Sequence, residues 1–69
     1  MKERYKRVKM VFLRMTEMSV LFRIIRTGET IWIPLSLIHG GSELYLRTAA
    51  AGDELDIDII EWKVSQIPL

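Results

Sequence analysis

The sequence predicts an all-β domain: a small five-stranded barrel of the SH3-like or OB-like kind, closed by a short C-terminal tail or helical turn. Three observations carry this. Leu55, Ile57 and Ile59 alternate with Glu54, Asp56 and Asp58, the period-two pattern of a strand with one wet face. Two apolar runs, 19–25 and 30–33, flank Arg26-Thr27-Gly28-Glu29, where Gly28 supplies the positive φ that a tight hairpin requires. The chain of 69 residues has no repeat, low-complexity tract or linker, so short strands joined by tight turns form one domain spanning 1–69.

The first strand is placed at 7–15, where Val8, Met10 and Phe12 alternate with Arg7, Lys9 and Val11. The same third of the chain fits a second template. Val8, Val11, Phe12, Met15, Met18, Phe22 and Ile25 recur at helical spacing, so a basic amphipathic helix from about residue 3 to 25 competes with the strands. That helix would leave Met10, Leu13, Val20, Leu21 and Ile24 off its apolar stripe. The segment also lacks Ala and holds several β-branched and aromatic residues, which favours strands. Thr16-Glu17 then becomes a turn, followed by strands at 18–26 and 29–34. Pro34, without a backbone donor, ends the third strand or leaves it on an edge. Leu35 to Ile38 suit one helical turn before His39-Gly40-Gly41. A weaker strand is placed at Glu43–Thr48, a turn at Ala51-Gly52-Asp53-Glu54, the most secure strand at 54–61, and the tail from Trp62 to Leu69.

Composition narrows the functional classes. With 49% hydrophobic and 28% charged residues the chain has enough apolar surface to offset ordering entropy, so it folds. The absence of cysteine excludes a disulfide-stapled mini-protein, a Cys-ligated zinc module and a thiol enzyme, and one histidine excludes a histidine-rich metal site. A domain of this size hides only roughly 60% of the surface its unfolded chain exposes, and oligomerisation is a usual remedy for so thin a core. The basic start is interrupted by Lys9 and Arg14, so no signal peptide is read. The longest uncharged run, Thr30 to Ser42, is too short to span a bilayer. A cytoplasmic protein with no membrane association is expected.

A net charge of +1 conceals a polarity. Residues 1–26 carry eight basic and two acidic side chains, a net of +6, while residues 27–69 carry two basic and seven acidic, a net of −5. Two readings follow. The front is a basic surface for phosphates or acidic partners, or the basic first strand pairs with the acidic last one and is neutralised by Asp53, Glu54, Asp56, Asp58 and Glu61.

No motif carries catalysis: there is no phosphate loop, nucleophile elbow or pair of metal-binding residues. Asp53, Asp56 and Asp58 read as a solvated face rather than a cation site. His39 has no acid or nucleophile nearby in sequence and reads as a turn residue. Ser36 reads as a local cap. No enzyme activity, metal or cofactor is expected. Trp32 has two roles open to it, filling the core or stacking on a base of single-stranded nucleic acid beside basic residues. Tyr5 and Tyr45 stand under the same alternative, as platforms or rim residues.

The run Thr16-Glu17-Met18-Ser19-Val20-Leu21-Phe22, with Gly28-Glu29-Thr30 leading into Trp32-Ile33-Pro34-Leu35-Ser36-Leu37-Ile38, resembles a group of small phage and bacterial proteins. They share a hairpin followed by a Trp-Ile-Pro-x-Ser-x-Ile segment and, near the end, a Gly-Asp strand leading to a Trp. Gly52-Asp53-Glu54-Leu55-Asp56-Ile57 and Trp62 follow that order. The resemblance covers about two thirds of the chain and implies a small β-barrel from a mobile-element setting, with no activity attached. The chain departs from the group at Leu35, where a Lys is expected, and in its Met- and Arg-rich first hairpin.

Two functional expectations follow. The first is a non-enzymatic binding module of phage or bacterial origin, acting beside nucleic acid, with Lys6, Arg7, Lys9, Arg14, Arg23, Arg26 and Trp32 as its contact set. The second is a homo-oligomeric, protein-interaction or inhibitor subunit. It is motivated by the two-sided apolar strands, with Leu21, Ile25, Ile31, Ile33 and Leu35 as the interface. Met10, Met15 and Met18 suit an adaptable contact or a loosely packed core equally.

Overall fold

The computed structural model describes residues 4–39 and 46–68. Four strands run in order: β1 (Tyr5–Met15), β2 (Ser19–Arg23), β3 (Thr30–Pro34) and β4 (Glu54–Ile60). They form one antiparallel sheet in the order β3-β2-β1-β4. The N-terminal third is therefore extended, and the amphipathic-helix alternative is set aside. The sheet is not closed into a barrel, and among the described residues four strands stand where five are expected. Within the expected strand at Glu43–Thr48, residues 46–48 are helical, while 43–45, with Tyr45 among them, lie outside the described residues.

β1 explains why the helical template fitted. Val8, Met10 and Phe12 turn to the core with period two, but the register with β2 shifts between Phe12 and Arg14, so the next core-facing residue is Met15. A bulge inserts one residue and converts a spacing of two into a spacing of three. The first half of β1 pairs with β4 and its second half with β2, which makes it the spine of the sheet.

The turns follow their residue chemistry. Thr16 Oγ1 accepts from the Ser19 N–H at 3.1 Å and donates to the Ser19 carbonyl at 3.2 Å, closing the β1–β2 turn. Gly28 at φ +75° and Gly52 at φ +97° hold the β2–β3 and pre-β4 turns in the left-handed region. Asp53 Oδ2 accepts from the Ala50 N–H at 2.9 Å, supporting the second of these. After Pro34 the chain makes one 3-10 turn, Leu35–Leu37, and Ile38 then forms an isolated bridge with Ile59 on the far edge of β4. A helical turn at Glu61–Val64 closes the C-terminus.

The core lies on one side of the sheet, with Met10, Phe22, Ile33, Ile57 and Ile59 fully hidden. Ile38, Leu46, Val64 and Ile67, supplied by the flanking turns, cap it. Phe12 and Phe22, cross-strand partners, meet edge to face with ring centroids 6.5 Å apart. The apolar surplus of the sequence is largely absorbed here, because turns outside the sheet cover its inner face.

Candidate functional site

The other face of the sheet gathers most of the predicted contact residues. Alternation and register place Arg14, Leu21 and Trp32 in one row across β1, β2 and β3. The next row holds Glu54, Val11, Arg23 and Thr30. Lys9 then stands opposite Asp56, and Arg7 opposite Asp58. Trp32 is not in the core: it is 44% exposed. The Arg14 guanidinium lies over its ring, 5.5 Å from the centroid, a cation–π contact.

The face divides electrostatically. On the β1–β4 side, basic and acidic residues stand in register. Arg7 Nε donates to Asp58 Oδ1 at 3.0 Å and its Nη2 to Oδ2 at 3.4 Å. That hydrogen bond, then the Arg7 charge and the nearby His39, outweigh slight desolvation and hold the Asp58 carboxyl below its ordinary range. On the β1–β2–β3 side, the cross-strand partners of Arg14 and Arg23 are Leu21, Val11 and Thr30, none of them acidic.

The remaining candidates separate. Lys6 pairs with Ile59 and alternates with Arg7, so it leaves β1 on the other side. Arg26 lies in the β2–β3 turn and lines an open hollow with Val8, Lys9 and Ile25. The expected apolar interface does not assemble as one surface. Ile33 has no exposed area and belongs to the core, because the register turns it inward beside Val20; it is removed from the interface set. Ile31 and Leu35 are partly buried against the core, Leu21 lies between Arg14 and Trp32, and Ile25 is exposed in the turn.

Two features escaped the sequence. Ile60 is buried yet is not part of the core cluster. Its cross-strand partner is Tyr5, whose ring meets His39 edge-on at 5.1 Å, and His39 is itself held by its N–H donating to the Asp58 carbonyl at 2.8 Å. The second is Arg47. With Arg14, Glu17 and Met15 it lines an open cleft of about 790 Å³ at the β1–β2 turn. Its sequence signal is a basic residue out of place in the acidic part of the chain.

Among the described residues no cluster of three or more His, Cys, Asp or Glu is arranged to hold a metal ion, and no helix is long and apolar enough to cross a membrane. Compared with protein-family models, curated proteins and solved structures, the chain matches none.

Proposed function

We propose that the protein is a non-enzymatic binding module that holds single-stranded nucleic acid on the outer face of β1, β2 and β3. The observation that carries this reading is the half-exposed Trp32 ring with the Arg14 guanidinium over it and Arg23 in the adjacent row. The Arg14 guanidinium lies over the ring, so an arriving base displaces it: the base stacks on the ring and the guanidinium swings aside to engage the phosphates that follow.

The contact set is narrower than charge alone suggested. Trp32, Arg14 and Arg23 form its centre and Lys9 its margin. Arg7 serves mainly to neutralise Asp58. Glu54 and Asp56 on β4 set an acidic border that repels phosphate, so the bound strand runs across β3 to β1 and stops short of β4. That border also disfavours a duplex, whose second backbone would overlie it. The sheet, with a bulged β1 shared between β2 and β4 and an isolated bridge from Ile38 to Ile59, suits an opened SH3-like or OB-like barrel. The resemblance to small phage and bacterial proteins supplies the setting.

Titration with labelled single- and double-stranded DNA and RNA at two salt concentrations tests the reading. Binding of the single strand that weakens as salt rises is expected, because phosphate contacts release counterions. Trp32→Ala is expected to weaken it roughly ten- to a hundredfold. No binding at low salt would refute it.

A further inference from the structure

Arg14 belongs to two surfaces. Its guanidinium covers Trp32 on the outer face, and the same residue lines the 790 Å³ cleft at the β1–β2 turn. The bulge in β1 accounts for this double membership: it turns Met15 inward while leaving Arg14 outward at the end of the sheet. The apolar lining of the cleft is Phe12, Met15, Leu46 and Ala49; its polar lining is Arg14, Arg47, Thr16 and Glu17.

We propose that this cleft is a second nucleotide subsite, continuous with the Trp32 face through Arg14, and that it selects a base bearing an exocyclic amino group. The proposal rests on the reading of the Trp32 face as a nucleic-acid surface and extends it. The cleft is open to solvent, and of its apolar lining the partly buried Met15 and Ala49 offer surface to the face of a base. Arg14 and Arg47 provide positive charge for phosphate, with Arg14 meeting the phosphate that links the base on Trp32 to the base in the cleft.

Selectivity follows from the other polar groups. The Thr16 hydroxyl is committed to Ser19 as both donor and acceptor. Among the described residues, Glu17 is the carboxylate in the lining. An ionised carboxylate only accepts hydrogen bonds, so it repels phosphate and takes amino donors such as the cytosine N4 group. Thymine and uracil present a carbonyl oxygen at that position, and two acceptors then oppose each other. The backbone is thereby directed to the arginines and the amino edge of the base to Glu17.

The test is fluorescence anisotropy with labelled oligo-dC and oligo-dT of equal length at two salt concentrations. The wild type is expected to bind oligo-dC about five- to tenfold more tightly. Glu17→Gln is expected to bind both oligomers but erase the preference, and Arg47→Ala to lower the salt slope by about one contact. Circular dichroism verifies the fold of each variant. Equal affinity for the two oligomers, or wild-type behaviour of both variants while Trp32→Ala loses binding, overturns the subsite and leaves the Trp32 face standing. Absence of wild-type binding at low salt, or full binding by Trp32→Ala, overturns both.

Discussion

Arg14 and Trp32 meet through Leu21. Each is the cross-strand partner of that residue, one on β1 and one on β3, and the Arg14 guanidinium spans the row to lie 5.5 Å from the centre of the Trp32 ring. The contact needs the bulge after Phe12. Without it, the phase of β1 would turn Arg14 toward the core and Leu13 toward the solvent.

The alternation along β3 separates binding from stability. Ile33→Ala removes a fully buried side chain and is expected to cost about 2–5 kcal/mol, a large part of the roughly 3–10 kcal/mol available to a domain of this length. Trp32→Ala, on the opposite face, is expected to leave most of the stability in place. Urea unfolding of the two variants checks this. A Trp32 variant as unstable as the Ile33 variant would return Trp32 to the core.

The Arg7–Asp58 pair gives the protein an acid limb. The carboxyl pKa of Asp58 is lowered in the folded state, so the pair stabilises the fold above the ordinary carboxylate pKa of about 3.9. That stability is lost as pH falls through the lower folded value. Arg7 is largely exposed and Asp58 partly so, and solvent screening keeps the contribution of the pair small. Asp58→Asn is expected to be slightly less stable than wild type at pH 7 and equal to it at pH 2. Parallel denaturant melts measure this; a gap that persists or widens toward low pH contradicts it.

Gly52 holds φ +97°, and a Cβ built there meets nothing within 4 Å. The cost of Gly52→Ala is therefore one of backbone conformation, about 1–2 kcal/mol. Gly28→Asn is expected to cost less, because Asn tolerates the left-handed region near the φ of +75° found there. Thermal melts of the two variants rank these costs, and a neutral Gly52→Ala would show that the turn relaxes.

Local signals made much of this fold readable. The Asp-Ile-Asp alternation of β4, Gly28 between two apolar runs, and Pro34 before a helical turn each act within a few residues, and all three appear as expected. Effects of long range were not readable. The bulge in β1 left the same apolar residues fitting a helix and a strand. Ile60 is buried opposite Tyr5, whose ring meets His39, and both residues come from distant parts of the chain. Residues 46–48 are helical and dock Leu46 into the core, a tertiary contact that strand propensity does not anticipate.

The site was partly readable for the same reason. Alternation set Trp32 opposite Ile31 and Ile33, but did not say which side was inside. The register decides it, by pairing Ile33 with Val20 and Trp32 with Leu21. Neutralisation of β1 by β4 was one of the two readings of the charge split, and the Arg7–Asp58 pair realises it at one position. Arg14 and Arg23 escape because their strand neighbours carry no carboxylate opposite them.

The most direct measurement uses Trp62→Phe, which leaves Trp32 as the single tryptophan. Its emission is followed during titration with a short single-stranded oligonucleotide at low salt. Saturable quenching that is reversed by added salt is expected, because a base stacks on the ring while phosphates engage Arg14 and Arg23. Emission that stays unchanged, while the same oligonucleotide is bound as judged by anisotropy, would show that Trp32 is not the stacking platform.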